Sequence, residues 1–157
     1  MAEPFFIRKA TDIEKASAFD AWGGLVITPE RTYRAPEVEG AVLVLPTGEV
    51  GSAVTWFLRQ RGQAEVTTLN AFVPGRGYGR TLLRHAEDEL RRQGARQAKL
   101  FTTNPNIGAI PIFLRQGWRV VRIHLDAMDA VRAVKPAVPL EEDGLPLRDM
   151  WELVKEL

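Results

Sequence analysis

The chain has 157 residues, 45% of them hydrophobic and 26% charged, which is the length and composition of one globular domain able to bury roughly 70% of its unfolded surface, and not of a disordered or fibrous protein. Twenty-one Lys and Arg against 20 Asp and Glu leave a net charge of +1, so no overall field draws in nucleic acid or an anionic membrane, and any anion site has to be local. The absence of cysteine excludes a disulfide framework, a thiolate zinc site and a cysteine nucleophile, and two histidines, His85 and His124, are too few for a histidine-rich metal centre, so no metal is expected.

At the amino terminus, MAEPFFIRKATD carries charge within a few residues of its short apolar run, unlike a secretory signal, and no window approaches 18 apolar residues. The expected location is the cytoplasm, with no membrane partner. Phe5 to Arg8 reads as a short strand. Thr11-Asp12-Ile13-Glu14 is a capping box and predicts a helix from Thr11 through Phe19, broken at Gly23-Gly24. Ala41–Leu45, Val50–Leu58 and Ala64–Phe72, separated by PTGE and RQRGQ, predict an antiparallel meander. Leu82, Leu83, Ala86 and Leu90 form a helical stripe between Gly79 and the terminating Gly94.

Lys99–Thr103 and Trp118–His124 read as strands around a helix between Asn106 and Gln116. Pro111 falls inside that segment, where it would delete a hydrogen bond and clash with the preceding turn at about 3 kcal/mol. The helix is therefore expected to begin near Ile110, with Pro111 close to its first position. Between Leu125 and Arg148 a helix over Ala127–Val134 is expected, capped by Asp126 and stopped at Lys135-Pro136, before a final strand over Asp149–Leu157. Antiparallel strands followed by strand-helix-strand units predict a single α+β domain over residues 1–157.

The stretch VPGRGYGR, Val73 to Arg80, is the chemically pointed one. It follows an apolar strand and opens onto the main helix. Glycine there supplies left-handed backbone or close approach. A helix N-terminus presents unpaired N–H groups and partial positive charge, and Arg76 and Arg80 add full charges beside it, so the turn suits a phosphate. It lacks the Lys-Ser/Thr ending of a Walker loop and the G-x-G-x-x-G spacing of a dinucleotide fingerprint.

The turn resembles motif A of the GNAT superfamily of N-acetyltransferases, Arg/Gln-x-x-Gly-x-Gly/Ala, with Pro74 at the Arg/Gln position. Asn106-Ile107-Gly108-Ala109, Phe113 and Gly117-Trp118 resemble the second signature of that superfamily, and AWG, EVTTLNAF, TTNPN, KPAVP and GLPLRDMWEL extend the likeness along nearly the whole chain. The resemblance implies a mixed sheet of about seven strands, splayed between the fourth and fifth, with helices on both faces. It also implies acetyl-CoA as co-substrate and acetyl transfer to a primary amine of a small molecule or peptide by direct attack.

The resemblance places backbone N–H groups of Ala71, Phe72 and Val73 toward the thioester and pantetheine, and Arg76, Gly77, Gly79 and Arg80 around the pyrophosphate. Asn106 matches the pantetheine contact, and an Asx turn or helix cap explains it as well. Glu65 is the candidate base: it shares strand parity with Thr67, Leu69 and Ala71 and resembles the base glutamate of histone-type members. Asp126 and Glu152 are alternatives. Phe113 stands where many members carry an acid tyrosine and cannot donate a proton; Tyr78, Thr102 and Thr103 have weaker claims. Trp22 is a candidate for the acceptor pocket, with core packing as the alternative, and His124 lies at a strand end. A CoA-binding sensor or interaction module without turnover is the rival reading, and a homodimer pairing through the terminal strand is a third.

Overall fold

The computed structural model describes residues 4–157. Seven strands form one mixed sheet, in the spatial order 6–9, 39–44, 50–58, 63–71, 97–103, 150–156 and 119–124, accompanied among the described residues by four helices and two small hairpins. Contacts divide the described residues into two compact units, the first holding residues up to 26, 33–98 and 157, the second 27–32 and 99–156.

In the first unit, β1 (Phe6–Lys9) leads to α1 (Asp12–Asp20). The capping box is present as read: Thr11 Oγ1 accepts from the Glu14 N–H at 3.1 Å and Glu14 Oε1 accepts from the Thr11 N–H at 2.9 Å. Strands β2 (Leu25–Ile27) and β3 (Thr32–Arg34) make a hairpin that hydrophobic periodicity does not reveal, because three residues are too few to show alternation. A 3-10 turn over Ala35–Glu37 leads into β4 (Glu39–Val44), β5 (Val50–Leu58) and β6 (Gln63–Ala71), the expected antiparallel meander.

Helix α2 (Tyr78–Arg92) packs against β4, β5 and β6, with Leu82, Leu83, Ala86 and Leu90 fully buried. The opposite face of β5 meets a cluster of Phe19, Tyr33 and Val38 with Phe57. Burying four such apolar side chains in α2 is the main attachment of that helix, at ~1.5–3 kcal/mol for each leucine.

The pairing of β5 with β6 carries a bulge. Thr55 pairs with Thr68 and Trp56 with Val66, so Thr67 is the extra residue. The consequence is a correction to strand parity. Asn70, Thr68 and Glu65 lie opposite Ala53, Thr55 and Phe57 on one side of the sheet, whereas Leu69 and Ala71 lie opposite Val54 and Ser52 on the other. Glu65 therefore does not share a face with Ala71.

In the second unit, β7 (Gln97–Thr103) leads to α3 (Ile110–Arg115), β8 (Arg119–His124) and α4 (Ala127–Val134); the last strand is β11 (Met150–Glu156). Helix α3 starts at Ile110 with Pro111 in its first turn, as the proline geometry predicted. Helix α4 spans the predicted residues, but Asp126 does not cap it through its side chain: Asp126 is left-handed, at φ 58°, and its N–H donates to Asp149 Oδ1 at 2.9 Å. Met128 and Val131 of α4 pack on Leu147 and Met150. A further hairpin pairs β9 (Glu141–Glu142) with β10 (Leu145–Pro146). Because β11 lies between β7 and β8, its edges are occupied, and pairing with a second copy through the terminal strand is not available.

Candidate active site

Strand β6 ends at Ala71, and Phe72 donates its N–H to the Gly51 carbonyl at 2.9 Å. That hydrogen bond corrects one expectation, since the Phe72 N–H is spent on β5. Alternation along the strand turns the neighbouring Ala71 N–H the other way. The Phe72 ring is 54% exposed.

Gly75 and Gly77 are both left-handed, at φ 77° and 73°. A Cβ on Gly75 would meet nothing within 4 Å, and one on Gly77 would meet only Arg80 Nη2, at 3.5 Å. Gly77 is the N-cap of α2 and offers no side chain to it. Arg76 and Arg80 are exposed beside this helix start. Space, helix end and cations thus coincide, which fits an anionic group such as a pyrophosphate. Gly79 is in the first turn, its Cβ position 3.5 Å from the Ala71 methyl, so a larger residue there would press on the strand end.

Tyr78 is core: it is 5% exposed, its carbonyl accepts from Ser52 Oγ at 3.2 Å, and its ring packs edge-on to Phe5 at 6.1 Å. Trp22, by contrast, is 44% exposed, so the core-packing alternative does not hold for it. A hollow of about 280 Å³ in this unit is lined by Arg8, Glu39, Trp56 and His85 among others, and by none of residues 71–80; an open, solvent-facing cradle is not the kind of site that an enclosed volume reveals.

Glu65 is 1% exposed. Its Oε1 accepts from Tyr33 Oη at 2.8 Å and from Arg59 Nη2 at 2.6 Å. Arg59 Nη2 also donates to Tyr33 Oη at 3.0 Å, closing a triangle. Burial, then the Glu65 charge, pushes the Tyr33 phenol well up, so it stays a proton donor. The guanidinium and the phenol both engage this one oxygen, which ties the carboxylate into the interior of the unit.

In the second unit, the side-chain N–H of Asn106 donates to Thr102 Oγ1 at 2.8 Å, and the Ala109 N–H donates to the Asn106 carbonyl at 3.2 Å. Asn106 is exposed. Phe113 is 6% exposed within α3 and packs as an apolar core residue. Thr102 is buried and serves as the acceptor for Asn106.

Two partnerships were not legible in the sequence. Asn104 Oδ1 accepts from the N–H groups of Arg148 and Asp149, both at 3.0 Å, and its Nδ2 donates to the Pro146 carbonyl at 2.7 Å. His124 Nε2 and Glu152 Oε1 are 2.8 Å apart.

A model of the acetyltransferase (GNAT) family matches residues 29–118, more than half of the chain. The chain belongs to the GNAT acetyltransferase family. It is similar to YxbD, an uncharacterized protein of Bacillus subtilis (strain 168), at 30% identity over 138 residues, covering 87% of this chain and 86% of that protein. Among solved structures it resembles the IAA acetyltransferase from Bacillus cereus ATCC 14579, with TM-score 0.79 and 18% identity over 98% of this chain and 100% of the other. It also resembles a GNAT family acetyltransferase from Elizabethkingia anophelis solved with acetyl-CoA bound, with TM-score 0.75 and 16% identity over 98% of each chain. At those identities the structural likeness carries the GNAT fold, which the seven-stranded sheet already displays.

Proposed function

We propose that the chain transfers the acetyl group of acetyl-CoA to a primary amine of a small molecule or peptide by direct attack, as one domain over residues 1–157 working in the cytoplasm. The observation that carries the reading is the start of α2: Gly77 as a left-handed N-cap without a side chain, flanked by exposed Arg76 and Arg80, directly after β6. Family membership and the acetyl-CoA bound by the Elizabethkingia protein support it.

In this reading acetyl-CoA supplies the activated acyl group as a thioester. Arg76, Arg80 and the first-turn N–H groups around Gly77 and Gly79 hold the pyrophosphate. Ala71 offers backbone to the pantetheine arm beside Phe72 and Val73, Asn106 contacts the same arm, and the exposed Trp22 ring lines the acceptor side. A lysine-like amine of pKa about 10.4 is neutral in roughly one molecule in a thousand near pH 7.4, so a base recovers about 10²–10⁴ in rate. Glu65, the base expected from the sequence, is engaged by Arg59 and Tyr33, and we assign it to holding β3 and the end of β5 onto β6. No helix among the described residues is long and apolar enough to cross a membrane.

Titration calorimetry with acetyl-CoA, followed by CoA release with an amine panel, tests the reading; no heat of binding would overturn it. A second reading has one observation in its favour. Phe113 is buried and has no hydroxyl to protonate a leaving thiolate, so a chain that binds acetyl-CoA and releases no CoA with any amine is a CoA-dependent sensor or interaction module.

A further inference from the structure

His124 sits at the end of a polar row built within the second unit. Glu30 Oε1 holds Lys99 Nζ at 2.6 Å, Lys99 Nζ lies 3.3 Å from Glu152 Oε2, and Glu152 Oε1 lies 2.8 Å from His124 Nε2. The residues come from the 27–32 segment, β7, β11 and β8, up to 122 positions apart (152 − 30), so no sequence period announces them. A carboxylate only accepts, so the neutral imidazole is held as its Nε2–H tautomer and carries its lone pair on Nδ1. The Phe101 ring packs against the imidazole in a T-shaped arrangement, with ring centroids 5.6 Å apart. Both side chains are largely enclosed, His124 at 14% and Glu152 at 11% exposed.

His124, the last residue of β8, brings one end of the row to the strand end near the segment that holds Asn106, the expected pantetheine contact. His124 pairs with Met150 at the start of β11. The preceding residue, Asp149, accepts from the Asn104 N–H at 3.1 Å, two residues before Asn106. A half-buried histidine with a carboxylate on one nitrogen and a lone pair on the other is the usual apparatus for taking a proton.

Resting on the acetyl-transfer reading, we infer that His124 accepts the proton of the attacking amine, with Glu152 as its positioning residue and Lys99 as the clamp that orients Glu152. As the amine nitrogen bonds to the acetyl carbon, the carbon–sulfur bond breaks, CoA leaves as the thiolate, and the amine proton passes to Nδ1. The charged groups around the imidazole are Glu152 from β11, Lys99 from β7 and Glu30 beyond it, Arg122 on the same side of β8, and Asp126 and Asp149 at the strand end. Burial opposes the Lys99 charge, yet its hydrogen bonds to Glu30 and Glu152 outweigh this and its pKa is raised, so the clamp stays cationic across the working range.

The test is CoA release with spermidine, L-lysine and tri-alanine as acceptors. His124→Gln and His124→Asn are expected to lower kcat/KM about 10²–10⁴-fold with acetyl-CoA affinity by calorimetry unchanged, the loss shrinking at high pH, where the acceptor amine is already neutral. Glu152→Gln is expected to cost about 10–100-fold, the range found for carboxylates that orient metal-bound histidines. Independently of turnover, imidazole nitrogen NMR of the two histidines should show neutral His124 as the Nε2–H tautomer. Full activity in both His124 variants, or an Nδ1–H tautomer, overturns the inference while leaving acetyl transfer standing. Acetyl-CoA binding by the wild type without CoA release to any of the three amines overturns acetyl transfer and this inference together.

Discussion

Thr67 and Thr68, neighbours on β6, each place a hydroxyl oxygen 2.6 Å from Thr55 Oγ1. Consecutive residues of a regular strand point to opposite sides, so two of them meeting one hydroxyl is the side-chain signature of the bulge. Thr55→Val deprives the Thr68 hydroxyl, 3% exposed, of this partner, and is expected to cost about 1–3 kcal/mol in urea denaturation. Thr67→Val should cost less, because that side chain is only half-buried. No loss in either variant would show that the bulge is held by backbone pairing alone.

The buried Arg59–Glu65 pair separates structure from chemistry. Glu65→Gln leaves a guanidinium facing a neutral amide inside the unit, and breaking such a pair costs about 3–5 kcal/mol. The 22% exposure of the Arg59 side chain places the loss toward the lower end. If Glu65 is an anchor, acetyl-CoA affinity and kcat at low temperature change little while the urea midpoint falls. A loss of about 10²–10⁴ in kcat/KM with stability intact would restore Glu65 as the base and remove His124 from that role.

Gly77→Val should abolish acetyl-CoA binding and leave the fold standing. The left-handed conformation costs a residue with a Cβ about 1–2 kcal/mol, and a β-branched one is the least tolerant. Open space around Gly77 means that strain, and not a clash with the core, is the cost. Calorimetry on the variant reads this directly; unchanged affinity would move the pyrophosphate elsewhere.

The capping box makes the stability of α1 depend on pH. The Glu14 pKa is lowered, first by its hydrogen bond from Arg8, against an opposing contribution from burial, and then by the Thr11 N–H. A carboxylate whose folded pKa lies below its unfolded value of 4.5 stabilises fully above that value and loses the contribution as pH falls through the folded pKa. Wild type should therefore lose melting temperature more steeply than Glu14→Gln on acidification below pH 4.5. Thr11→Ala should cost about 0.5–2 kcal/mol at neutral pH. Parallel acid limbs in wild type and Glu14→Gln would show that the cap does not govern this range.

What was legible in advance was local. The Thr11 cap, the start of α3 at Pro111 and the end of α4 before Lys135-Pro136 each follow from one or two residues acting within a single turn, and all three are where that chemistry places them. The glycine turn was legible for the same reason. The face of Glu65 was not, because a single inserted residue at Thr67 inverts parity and leaves no mark in composition. Nor was the tie between His124 and Glu152, since cross-strand partners 28 positions apart are set by register alone.

The start of α2 has a consequence for handling this protein. On the proposed function, a helix that supplies no side chain to its own N-terminus is completed by the pyrophosphate of acetyl-CoA, which makes heat resistance a property of the solution as much as of the chain. At a free acetyl-CoA concentration 100 times Kd the folded state gains about 2.7 kcal/mol, worth roughly 5–11 °C in Tm for a domain of this size. Purification that strips nucleotide away would therefore yield the least durable form, and shelf life should lengthen on returning acetyl-CoA or CoA to the buffer.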